Sequence, residues 1–87
     1  MLAVEVAESS LEFDRKQKVS LYARAGIEDY WIVNLVDRVL EVYREPEPDS
    51  TARYGWRYRA VQQLTRDAVV SPLALPSVRV AVAALLP

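Results

Sequence analysis

The sequence predicts an α/β domain: a mixed sheet with one principal helix, in the order β-α-β-β-β-β. Three observations predict it. Short runs of alternating, β-branched or aromatic residues recur at positions 2–7, 30–34, 38–44 and 54–64. One segment of helical period lies between the first two runs. Pro, Asn, Asp and Gly punctuate the remaining gaps. The length of 87 residues suits one domain and not two. A chain of this size buries only about 60–65% of its unfolded surface, so its core is small.

Residues 2–7 place Leu2, Val4 and Val6 on one face and Ala3, Glu5 and Ala7 on the other. Both faces are largely apolar, which predicts a central strand covered on both sides. Glu5 is the anomaly there, because a buried carboxylate needs a cation, a hydrogen-bond donor or a metal. Residues 9–12 read as a connection, and a helix is expected over about 15–25. Asp14 is placed as its N-cap, with Gln17 three residues on as in a capping box. Phe13 and Lys18 take the flanking staple positions, Lys18 through its methylene stem. Val19, Tyr22 and Ala23 form the apolar stripe, Gly26 is the left-handed residue past the end, and Ile27 folds back on Tyr22.

A hairpin follows, with strands at 30–34 and 38–44 and a turn over 34–37. The stretch 45–51, EPEPDST, reads as an exposed loop. In 54–64 the alternation puts Tyr54, Trp56 and Tyr58 on one face and Arg53, Arg57 and Arg59 on the other. Residues 68–70 make a short strand, Pro72 and Pro76 bracket a turn, and 78–86 make a short strand and a helical turn. One helix covers only one face of such a sheet. The other face therefore calls for a partner copy or further chain.

Composition narrows the chemistry. With no Cys there are no disulfides, thiolate zinc sites or Cys nucleophiles. With no His there is no Ser-His-Asp catalysis and no imidazole ligand. What remains is carboxylate, Lys, Arg, Tyr and Ser chemistry, with a hard oxygen-seeking metal if any. A net charge of −1 argues against tight non-specific nucleic-acid binding by the chain alone. No stretch approaches the roughly 18 apolar residues of a membrane span, and the N-terminus does not read as a signal peptide. The expectation is a soluble, cytoplasmic protein without a membrane partner.

Four features invite a functional reading, each beside a plainer one. Glu5 is either a site carboxylate or a strand-end residue reached by water or Arg. Lys18 either stands beside Glu5, stabilising a phosphate, or pairs with Asp14 on a solvated helix face. Arg15, Lys16 and Lys18 crowd the first turn, where the helix dipole disfavours cations; the cluster is an anion site or ordinary surface. The segment RYGWRYR, 53–59, is a nucleic-acid platform or a half-buried strand with a charged outer face. The alternation favours the second.

The segments LAVEVAESS, FDRKQKVSLYARAGIEDYWIVNL and RVLEVYREP, with the tail VSPLALPSVRV, resemble the Uma-two family of restriction endonucleases in the PD-(D/E)XK nuclease superfamily. The resemblance covers residues 2–85. It implies a restriction-endonuclease-like core and Mg²⁺-dependent hydrolysis of DNA phosphodiesters. Glu5 matches the Glu of the (D/E)XK element, and the backbone carbonyl of Val6 joins it as a metal ligand. Ala7 stands where the superfamily usually has Lys, and Lys18 on the helix matches the displaced lysine. Arg15 and Lys16 are candidate phosphate or DNA contacts from their place at the helix start. Asp14, Tyr22, Tyr30 and Trp31 match family positions read as capping and packing. The superfamily's first metal-binding Asp belongs to a strand upstream of the Glu strand. Residues 1–87 thus read as a truncated nuclease-like domain, inactive or incomplete by itself. The alternative is a non-enzymatic module of the same fold that completes its sheet as a homo-oligomer.

Overall fold

The computed structural model describes residues 1–8 and 12–87, with the side chains of all of these except 12–15. Among the described residues six strands and one α-helix follow in order: β1 (Leu2–Ala7), α1 (Glu12–Arg24), β2 (Asp29–Asn34), β3 (Val39–Pro48), β4 (Trp56–Leu64), β5 (Val69–Val70) and β6 (Val80–Ala81). A single 3₁₀ turn, Val82–Ala84, comes last. The main sheet has the order β1-β2-β3-β4. β1 runs parallel to β2, so α1 is the crossover that a parallel pair requires; β2, β3 and β4 are successive antiparallel neighbours. β5 and β6 form a separate two-stranded ribbon.

Local chemistry sets the junctions. Gly26 takes φ 76° at the end of α1. Its N–H donates to the Ala23 carbonyl at 3.0 Å and the Ile27 N–H to the Tyr22 carbonyl at 3.2 Å, the pair of bonds that closes a helix through a left-handed residue. At the β2–β3 turn the Asn34 carboxamide oxygen accepts the N–H groups of Val36 and Asp37, both at 3.0 Å. Arg38 completes that turn at φ 55°.

Burial divides the sheet into two apolar layers. On the α1 side, Tyr30, Ile32 and Tyr58 meet Ala23, with Val19, Tyr22 and Ile27 around them. On the opposite side, Trp31, Val33, Leu40 and Val42 meet Val70, Val82 and Leu86. The second face is thus covered by the chain's own C-terminal segment. This corrects the expectation that a partner copy or further chain was needed there. Asp29 fastens that segment down. Its carboxylate accepts from Trp31 Nε1 (2.7 Å), Arg44 Nε (2.9 Å) and the Leu73 N–H (2.9 Å), while Arg44 Nη2 donates to the Ser71 carbonyl (2.6 Å).

Three further expectations are corrected. β1 lies at the edge of the sheet, not at its centre, and Val4 and Val6 are 48% and 61% exposed. The apolar alternation of β1 did not distinguish a covered strand from an edge. Residues 46–48 of the expected loop continue β3, Pro46 pairing with Tyr58 and Pro48 with Trp56, after an interruption where Glu45 adopts φ 59°. α1 begins at Glu12, so Asp14 lies inside the first turn and is not the N-cap. Among the described residues no helix is long and apolar enough to cross a membrane.

Candidate active site

Glu5 sits in the middle of β1, in register with Ile32 of β2, on the face that α1 covers. α1 and β2 each supply it with a phenol. The Tyr22 hydroxyl donates to Oε1 at 2.5 Å and the Tyr30 hydroxyl to Oε2 at 3.0 Å. The two rings meet edge to face, centroids 4.7 Å apart. Lys18 lies one helical turn before Tyr22, so both project to one side of α1. Its Nζ reaches 3.6 Å from Oε2, with side chains 57% exposed for Lys18 and 29% for Glu5. The expected Glu5–Lys18 pair therefore forms, but as an open pair at the surface and not a buried one.

The electrostatics favour an ionised carboxylate. Burial pushes the Glu5 carboxyl up, yet the two phenol hydrogen bonds and the Lys18 ammonium outweigh it and hold Glu5 below its ordinary value. The hydrogen bond to Glu5 and burial push Tyr22 up; burial, then Glu5, push Tyr30 far up. Both phenols remain neutral donors to a fixed negative charge.

The other candidate residues separate. The Ala7 carbonyl accepts the Leu35 N–H at 2.9 Å. By the alternation of a strand, the preceding Val6 carbonyl then faces the open edge of the sheet. Lys16 is exposed on the other side of α1, away from Glu5. The side chains of Asp14 and Arg15 lie outside the described residues, as do the connection at 9–11 and the staple at Phe13. Trp31 is buried on the opposite face of the sheet, where it donates to Asp29; its role is packing.

Sequence reasoning treated Tyr22 and Tyr30 as packing residues, and they are also the direct partners of Glu5. The usable signal was that both lie on the faces turned toward Ala3, Glu5 and Ala7. It also passed over Glu41 of β3, buried on the same face of the sheet, two strands away across Ile32. Glu41 accepts from Asn34 Nδ2 at 2.8 Å and from the Tyr43 hydroxyl at 2.5 Å.

Mg²⁺ is not matched by this set of groups. Each Glu5 oxygen already accepts a phenol, and an ammonium stands beside one of them. Among the described residues no three carboxylates converge. A Mg²⁺ centre needs oxygen ligands in near-octahedral array, with carboxylates free to bind it.

No individual curated protein matches the sequence. Residues 1–83 match the family Uma2, described as "Putative restriction endonuclease". With nearly the whole chain covered and a mixed α/β core in place, the protein belongs to the Uma2 family of restriction-endonuclease-like proteins.

Proposed function

We propose that the chain is a nuclease-like domain in which Glu5 and Lys18 face the scissile phosphate of DNA, and that its site is incomplete for metal-dependent hydrolysis. The supporting observation is a carboxylate held ionised by two phenols, with an exposed ammonium 3.6 Å away. Lys18 supplies positive charge for a phosphate oxygen from a flexible, solvent-facing stem. Glu5, fixed by Tyr22 and Tyr30, holds that ammonium in place. The reading puts the protein in the cytoplasm with its substrate.

Nicking of supercoiled plasmid tests this. With Mg²⁺ or Mn²⁺, the wild-type chain and Glu5→Gln leave the plasmid equally intact, while Lys18→Ala weakens DNA binding at low salt several-fold. Metal-dependent nicking that disappears in Glu5→Gln would show a complete enzyme. DNA binding indifferent to Lys18 would remove the assignment of Lys18.

A second reading, a self-associating module, rests on β1, an edge strand among the described residues that carries the exposed side chains of Val4 and Val6. Its expectation is a dimer in light scattering that Val6→Lys converts to monomer, since a lysine on an edge strand opposes strand pairing. A wild-type monomer at the same concentration rejects it.

A further inference from the structure

Lys16 and Ser20 lie on the side of α1 opposite Lys18 and Tyr22, and there they border a cleft that the Glu5 chemistry does not use. The cleft lies between α1 and the β3–β4 connection, with a volume of about 560 Å³. That is within the range of about 300–1,000 Å³ typical of small-ligand sites. Tyr43 and Trp56 give it aromatic walls, and Lys16, Arg53 and Arg57 give it three cations. Strand alternation alone puts Arg57 opposite Trp56, yet both line this one cleft.

The walls are fixed from behind. Ser20 Oγ accepts the Tyr54 N–H at 2.9 Å and donates to the Trp56 carbonyl at 2.7 Å, tying the start of β4 to α1. Arg57 is held by Glu47 at 2.8 Å and lies 3.7 Å from Asp49. Lys16 and Arg53 are exposed and make no ion pair among the described residues. The cleft thus joins a half-buried indole to two cations without a counter-charge among the described residues. A flat aromatic group carrying an anion has the matching chemistry.

We propose that this cleft binds one nucleotide of single-stranded DNA, its base stacked on Trp56 and its phosphate held by Lys16 and Arg53. Every base offers a π-face, so such stacking is tolerant of sequence, and a duplex keeps its bases away from it. The proposal deepens the reading of the chain as a DNA-acting domain by naming the form of DNA it takes. It does not depend on the chemistry of Glu5.

Tryptophan fluorescence reads it directly, because Trp31 is buried and Trp56 is the accessible indole. The titrants are a short oligothymidylate, thymidine monophosphate and a blunt duplex of mixed sequence. Oligothymidylate quenches the wild type saturably, and the monophosphate and the duplex bind at least tenfold more weakly. The quench disappears in Trp56→Phe. The double variant Lys16→Ala/Arg53→Ala, at two exposed positions and checked for folding by its thermal melt, loses affinity at least tenfold. Absence of metal-dependent nicking leaves this proposal standing, and absence of quenching by oligothymidylate leaves the cleavage reading standing, so the two fail separately. Quenching by oligothymidylate that is absent, or unchanged in the double variant, would overturn the proposal. Equal affinity for the monophosphate would overturn the assignment to single-stranded DNA in favour of a free nucleotide.

Discussion

Asp29→Ala costs about 3–5 kcal/mol of folding free energy, the range for removing one partner of a buried ion pair. That approaches the whole stability of a small domain, about 5–15 kcal/mol. The reason is geometric. Asp29 is 3% exposed at its side chain and Arg44 23%. Removing the carboxylate leaves Arg44 charged and half-covered, Trp31 Nε1 without its acceptor, and the Leu73 N–H unpaired. It also frees the C-terminal segment that covers Trp31, Val33, Leu40 and Val42. Urea midpoints measure the loss. Near-UV circular dichroism of Trp31 reports whether the C-terminal layer has separated from the sheet. Asp29→Asn keeps one acceptor and loses less. A loss below 1 kcal/mol for Asp29→Ala would mean that Asp29 does not fasten the two layers.

The same group sets the acid limb of stability. Burial pushes the Asp29 carboxyl up, but Arg44, the Leu73 N–H and Trp31 more than reverse this and hold it below its unfolded value of 3.8. A carboxyl with a depressed folded pKa contributes stability that is present above the unfolded pKa and is lost as pH falls through the folded one. Glu5 behaves alike, from its unfolded value of 4.5 downward. Urea midpoints therefore fall below about pH 4.5 in the wild type and fall less steeply in Asp29→Asn. No histidine adds a step between pH 5 and 8.

Glu5→Ala destabilises by about 1–3 kcal/mol, the cost of leaving a buried hydroxyl without its acceptor. Tyr30 is fully buried, and Glu5 is the acceptor of its hydroxyl. Lys18 contributes little, because an ion pair this exposed is worth about 0–1 kcal/mol after solvent screening. A double-mutant cycle separates the terms. In the Glu5→Ala background, Tyr30→Phe is neutral or stabilising, whereas in the wild type it destabilises. Equal effects in both backgrounds would show that Tyr30 and Glu5 are not coupled.

Much of this was legible in the residues. Period-two alternation located the strands, and Gly26 ended the helix where a left-handed residue was required. The aromatic side of β4 faces inward through Tyr58, with Arg57 and Arg59 outside. The family resemblance favoured the pairing of Glu5 with Lys18; spacing alone favoured Asp14 as the partner of Lys18. What was not legible depended on long-range packing. Nothing local to residues 69–86 states that they fold across Trp31 and Val42. Nothing local to β1 states that Val4 and Val6 face solvent at an edge. The β3 extension was hidden because proline and acidic residues read as a loop, although their pairing with 56–58 holds them extended. The phenols around Glu5 were hidden because a helical tyrosine and a strand tyrosine converge only once the crossover is built.

Glu5 is a carboxylate secured by tyrosine and lysine and not a preformed Mg²⁺ ligand. Calorimetric titration of Mg²⁺ and Mn²⁺ into the wild type and Glu5→Gln tests it most directly. The prediction is no sub-millimolar binding in either protein and indistinguishable heats. Sub-millimolar binding in the wild type that vanishes in Glu5→Gln would contradict it, and would mean that the two phenols yield to a metal.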